Sequence, residues 1–188
     1  MNREQARKRA IDLVSQMTVE EKASQLKYDA PAIERLGVPA YNWWGEGIHG
    51  VARAGIATVF AQSIGQAATF DDGLVNEVAQ CVAKEGRAKY NEYKTQGFTD
   101  AYQGLTFWSP NINIFRDPRW GRTNETFGED PYLTGELAAA IIRGYQGDDL
   151  SHPESIAACA KHYIAYGEAT GARDSYDSEV TYRKVREV

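Results

Sequence analysis

Cysteine is scarce: Cys81 and Cys159 are the only two in 188 residues, each in an apolar stretch and without a partner at metal-ligand spacing. That argues against a disulfide scaffold or a zinc site and reads both as small, buried packing residues. No run of about 18 consecutive apolar residues occurs, and the opening MNREQARKRAIDLV carries charges where a secretory leader needs an apolar core. The expected location is therefore cytoplasmic, with a mature periplasmic or secreted domain as the alternative. Basic charge is also short, with 21 Lys and Arg against 26 Asp and Glu for a net charge of -5. Without a basic stripe to neutralise a phosphate backbone, neither nucleic acid nor a membrane is expected as a partner. What is present, 43% hydrophobic and 25% charged residues, suits one soluble globular core.

The apolar spacing of Ala10, Leu13, Val14 and Met17 predicts a helix, and Thr18 with Glu21 forms a capping-box pattern for a second. VPAYNWW, residues 38–44, reads as a strand ending in GEGIHG. Asp71 or Asp72 can cap a helix through Leu74, Val75, Val78, Ala79 and Val82. GLTFW predicts the next strand, followed by a polar loop over 111–130. Asp130-Pro131 then starts a helix carrying Leu137, Ile141 and Ile142. The all-apolar IAACA predicts a further strand running into Lys161 and His162. The last stretch, DSEVTYRKVREV, looks like the start of a helix, with Asp177, Ser178 or Thr181 as candidate caps.

Strands without alternation between amphipathic helices imply an α/β fold with a parallel sheet and outer helices. Polar clusters at the C-terminal ends of three strands favour a (β/α)8 TIM-type barrel over a doubly wound open sheet, whose glycine-rich phosphate turn is missing. A complete barrel takes about 250 residues. The chain is accordingly expected to be the N-terminal portion of an incomplete barrel, one partial domain over 1–188, with an exposed edge through which it could self-associate.

Three clusters can carry chemistry. NWWGEGIHG places Trp43, Trp44, Glu46 and His49 within seven residues, flat apolar faces beside a carboxylate, which suits a sugar ring. The same residues read equally as core tryptophan, surface glutamate and a backbone-satisfied histidine. The loop RDPRWGRTNETFGED holds Arg116, Arg119 and Arg122 with Asp117, Glu125, Glu129 and Asp130, dense enough for a buried ion-pair network, within which an inward arginine could hold ring hydroxyls. Lys161 and His162 can both reach one pocket if the strand ends there; otherwise a snorkelling lysine and a carbonyl-bonded histidine are expected.

GLTFWSPNINIFRDPRWGRTNETFGEDPYLTG and AACAKHY, in this order and spacing, resemble glycoside hydrolase family 3, and the likeness extends from about Gly37 to about Glu179. The resemblance implies a barrel whose pocket holds a terminal sugar, and retaining exo-acting removal of that sugar from β-glycosides or oligosaccharides. It implies that Glu46, Arg122, Lys161 and His162 bind the terminal ring. NWWGEGIHG, with Trp44, and Trp108 in TFWSPN look more like the β-xylosidase branch than the β-glucosidase one. α-Arabinofuranosidase activity stands as a further possibility. By the same resemblance the nucleophile and the acid/base residue fall outside this chain, so no catalytic residue is expected within it, no cofactor or metal is called for, and the chain alone should be inactive. Ala61 departs from the proline that the family commonly has after TVF. A non-catalytic sugar-binding relic or module is the alternative reading, and a metal or phosphate enzyme on the same barrel a third.

Overall fold

The computed structural model describes residues 3–97, 100–149, 151–167 and 178–186. Helix α1 (Arg3–Gln16) forms as its periodicity predicts, but Ile11 and Val14 stay exposed, so its apolar face is largely uncovered. The capping box closes on α2 (Val19–Ser24). Thr18 Oγ1 accepts from the Glu21 amide at 3.2 Å, and Glu21 Oε2 accepts from the Thr18 amide at 2.8 Å.

Strand β1 (Asp29–Ala30) pairs antiparallel with β2 (Tyr41–Asn42). The strand expected over 38–44 is thus reduced to two residues. Asn42 Oδ1 captures the Trp44 amide at 3.0 Å, and this local bond turns the chain out of the ladder. Beyond the turn the backbone runs against a later segment: Tyr102 N donates to Trp44 O at 2.6 Å and Trp108 N to Gly45 O at 2.9 Å. Residue 45 must be glycine for this, because a Cβ there would lie 2.3 Å from Thr106 O.

After α3 (Ser63–Ala67), the long helix α4 (Asp72–Thr95) is capped by Asp71, whose Oδ1 accepts from Leu74 N at 2.9 Å. Strand β3 (Thr106–Phe107) leads through the polar loop to α5 (Pro131–Gln146), which has Asp130 as cap and proline in its first turn. β3 is parallel to β4 (Ala157–Ala158), and the pairing is renewed further on by a parallel bridge between Asn111 and Lys161. β3, α5 and β4 therefore form a βαβ crossover, the connection that parallel strands require. Val75, Ala79, Val82 and Ala83 of α4 meet Leu137, Ala138, Ala140, Ile141 and Tyr145 of α5 in one core with Phe107 and Ile156. The architecture is α/β with parallel strands and outer helices, and no barrel closes among the described residues.

Thr181 is the cap of α6 (Tyr182–Val185), its side chain accepting from Lys184 N; Asp177 lies outside the described residues. The burial expected of the cysteines fails at Cys159, which is exposed, while Cys81 is half-buried, and both are free thiols. Among the described residues the β4 segment is covered unevenly: Ile156 and Lys161 are buried, whereas Cys159 and Ala160 face outward. No described helix is long and apolar enough to cross a membrane.

Helices α4 and α5 approach closely at Gly144, where a Cβ would sit 2.5 Å from Ala79 Cβ and 2.7 Å from Asn76 O. Gly144→Ala must force α4 and α5 apart. A loss of about 1–3 kcal/mol in chemical denaturation is expected, against no loss for the same change at Gly135, where nothing lies within 4 Å.

Candidate functional site

The ends of β2, β3 and β4 bring their polar residues together. Glu46, just beyond the Gly45 crossing, accepts at Oε1 from Ser109 Oγ (3.3 Å) and its neighbour Gly47 N (3.2 Å). Its Oε2 accepts from Lys161 Nζ at 2.5 Å. Lys161 does not snorkel: its side chain is 9% exposed and that of Glu46 27%. The strand pairing fixes the lysine, since Lys161 N donates to Pro110 O at 3.0 Å and Ile112 N to Lys161 O at 2.7 Å. The next peptide bond, Lys161–His162, is cis.

His162 Nδ1 lies 2.7 Å from Asn113 Oδ1, and Nε2 lies 3.4 Å from Arg122 Nη1. Arg122 grips Glu125 with a fork, Nε to Oε1 at 2.8 Å and Nη2 to Oε2, and its Nη1 also reaches the Tyr166 hydroxyl at 3.5 Å. Burial pushes the Glu125 carboxyl up. The Arg122 hydrogen bonds and charge, with the charges of Lys161 and His162, outweigh it and hold the group below its ordinary value. The same Glu125 bond raises Arg122. Lys161 and His162 are thus electrostatic neighbours of the Arg122–Glu125 pair.

Of the network expected over 116–130, two local pairs are seen among the described residues. Two 3-10 turns, Pro118–Trp120 and Thr123–Glu125, bring Asp117 to Arg119 and Arg122 to Glu125, so Arg119 and Arg122 are each paired within two or three residues. The Asp117–Arg119 pair is at the surface, with Arg119 78% exposed, and Arg119 holds the Asp117 carboxyl down at about 2. Glu129 is exposed, and Asp130 serves as the α5 cap. Trp120, buried at 4%, anchors the loop and meets Tyr166 edge-on at 5.4 Å.

Trp44 and Trp108 lie with ring centroids 4.2 Å apart and Trp43 lies 5.4 Å from Trp108, all three half-buried. Trp44 Nε1 donates to Tyr102 OH at 3.1 Å, while the buried Trp108 Nε1 has no partner among the described residues. His49 stands apart, its ring held between Phe60 O and the Gln62 side-chain amide. Its reading as a structural histidine is the one the geometry supports. The departure at Ala61 touches none of these residues; its carbonyl accepts from Gln66 Nε2 at 2.8 Å.

All six residues singled out in the sequence, Trp44, Glu46, Trp108, Arg122, Lys161 and His162, therefore lie at or beside these strand ends. Sequence reasoning missed Ser109, Asn113 and Tyr166, whose only signal was polarity within a loop. A cleft of about 520 Å³ beside α4 and the C-terminal end of α5 is lined by residues such as Asn76, Lys84, Arg143 and His152 and includes none of the six. A second groove, about 370 Å³, is lined by His162 and Tyr166 of the cluster together with Ile112, Asn113, Arg116 and Lys184. The converging donors and acceptors, not cleft volume, identify the site. No group of three His, Cys, Asp or Glu able to hold a metal occurs among the described residues.

Two consequences can be measured. Lys161→Met and Glu46→Gln, combined in a double-mutant cycle of unfolding free energies, should show a coupling of about 1–3 kcal/mol, below that of a fully buried pair because Glu46 keeps some water. Glu125 binds its proton more weakly folded than unfolded, so its stabilisation is complete above its ordinary value of 4.5 and is lost as the pH falls through the lower folded value. Glu125→Gln should therefore lower stability at pH 7 and flatten the acid limb of a stability–pH curve.

The profile of the glycosyl hydrolase family 3 N-terminal domain matches residues 10–187. A probable β-D-xylosidase 7 of Arabidopsis thaliana is 50% identical over 175 residues, which cover 85% of this chain and 22% of that protein. A xylan 1,4-β-xylosidase of Xylanibacter ruminicola is 44% identical over 163 residues, 86% of this chain and 19% of that one. Among solved structures, a GH3 exo-β-xylosidase, XlnD, in complex with a xylobiose aziridine activity-based probe matches with a TM-score of 0.70 at 35% identity, over 85% of this chain and 21% of that one. A β-glucosidase involved in saponin metabolism from intestinal bacteria gives 0.62 at 36% identity, over 74% and 17%. The chain spans about a fifth of the length of the curated relatives it matches.

Proposed function

The chain belongs to glycosyl hydrolase family 3 as a portion of its N-terminal (β/α)8-type barrel domain, and from that membership we propose that the protein removes a terminal β-linked sugar with retention of configuration, xylose in preference to glucose. The observation that carries this reading is the Lys161–Glu46 ion pair set one residue from the His162–Arg122 contact. A pyranose presents neighbouring hydroxyls that each donate and accept. Glu46 can accept from one, while Lys161 or Arg122 donates to the next. The Trp44–Trp108 pair adds flat apolar surface for a ring face.

Retention needs two carboxyl groups about 5–5.5 Å apart, one as nucleophile and one as acid/base. The carboxylates of this cluster are already bound to cations, Glu46 to Lys161 and Glu125 to Arg122. We assign neither role to them or to any other residue of the chain; its part is to grip the sugar. Glu46, longer by a methylene than an aspartate, would advance its carboxylate into space that a hexose C6 hydroxymethyl needs, which favours a pentose.

The test compares aryl β-xyloside with aryl β-glucoside in the full-length protein. The xyloside should be favoured in kcat/KM by roughly 10–200-fold, the first-formed product should have the β configuration, and Glu46→Asp should narrow the preference. The 188-residue chain alone should turn over neither substrate. Xylose binding by a full-length protein without turnover would favour the non-catalytic module instead.

A further inference from the structure

We propose that Tyr145 is a positioning residue that reaches from α5 to the strand ends and fixes where the Glu46 carboxylate stands, and so how sharply the site separates a pentose from a hexose; this role rests on the sugar-gripping reading of Glu46 above. The residue is 2% exposed, and its ring meets that of Phe107 with centroids 6.2 Å apart. Phenylalanine would fill that core as well, and a hydroxyl is costly there unless it is bonded. The hydroxyl donates to Gly47 O at 2.5 Å, on the residue that follows Glu46. The backbone lies directly on the phenol, since a Cβ at residue 47 would stand 3.0 Å from that oxygen and 2.8 Å from Phe107 Cδ1.

Two paths lead from the phenol to the carboxylate. Along the chain, Gly47 is held by its carbonyl while its amide donates to Glu46 Oε1 at 3.2 Å, and the Glu46 carbonyl accepts from Ala52 N at 3.0 Å. Through space, the fully buried Ser109 lies beside the phenol, and its Oγ donates to the same Oε1 at 3.3 Å. Burial pushes the phenol above its ordinary value; the Ser109 hydroxyl opposes that and the Glu46 charge adds to it, so the group stays protonated and keeps donating to Gly47. Lys161 holds the other oxygen, Oε2. With the ammonium alone, the carboxylate could follow its long, flexible stem. The bonds to Oε1 are seated on groups fixed in the core, and they set how far the carboxylate stands forward. On the reading above, that reach is what disfavours a hexose, so loosening it costs selectivity and not only affinity.

The experiment uses the full-length protein. Tyr145→Phe keeps the ring and removes the hydroxyl; Ile141→Val, a core change one turn earlier on the same helix, is the stability control. Tyr145→Phe should lower kcat/KM on aryl β-xyloside about fivefold, the loss of one neutral hydrogen bond, and shift the xyloside-to-glucoside ratio of kcat/KM about threefold towards the glucoside. Ile141→Val should lower the unfolding temperature and leave that ratio at its wild-type value. Crystal structures of wild type and Tyr145→Phe should differ at Glu46, with the carboxylate displaced in the variant alone. An unchanged ratio overturns the proposal, as does an unmoved carboxylate or an equal change of ratio in both variants. Should Tyr145→Phe fail to fold, Ser109→Ala cuts the second path with the Tyr145–Gly47 bond intact, and it carries the same expectations and the same refutations. A wild type that hydrolyses neither glycoside overturns the sugar-gripping reading beneath the proposal and is told apart, since the crystal structures still show whether Tyr145 places Glu46.

Discussion

The ion pair between Lys161 and Glu46 joins residues 115 positions apart, and the arrangement of the strand ends depends on it. A nearly buried ammonium is tolerated only when a carboxylate and a fixed backbone accompany it. Both are present: the parallel bridge to Asn111 holds the Lys161 backbone, and the glycine crossing at Gly45 brings Glu46 against the start of β3. The pair therefore records that the β2, β3 and β4 segments are neighbours, and it sets the point from which His162 turns towards Arg122.

The loop between β3 and α5 works differently. Among the described residues, two of its ion pairs close short turns, and its buried part is apolar: Trp120 against Tyr166. Arg122 is thereby presented from a structured base, with its Nε and one Nη occupied by Glu125 and the other Nη directed to His162 and Tyr166. An arginine tied at one edge keeps its fork in place without rotamer freedom to lose on binding, and that preorganisation favours affinity.

Much of this was legible in the sequence, for physical reasons that differ by element. Helices α2, α4 and α5 announce themselves because a cap is a local bond between residues two or three apart, as at Thr18, Asp71 and Asp130. Strand lengths were overread: the bulky run before Gly45 looks like a ladder, yet Asn42 bonds its own backbone two residues on. Glu46, Lys161 and His162 stood out as polar groups directly after small or apolar residues at strand ends. Asn113 did not, because nothing in an NIN sequence tells which amide will be buried and which neighbour it will meet. Cys159 misled for a related reason, since an apolar run shows that a strand can be buried but not which of its side chains are covered.

The charge balance of the cluster bears on what it can bind. Among the described residues, two cations, Lys161 and Arg122, face two carboxylates, Glu46 and Glu125, each cation in direct contact with one acid. A phosphate would have to displace a carboxylate from a matched pair or add a negative charge where the positive ones are already neutralised. An uncharged polyol faces no such cost. It can bridge the pairs, accepting from the cations and donating to the acids, while the paired charges make each of those hydrogen bonds charge-assisted. A neutral ligand dense in hydroxyls is the chemistry that this balance admits, and a phosphoryl group is the one it disfavours.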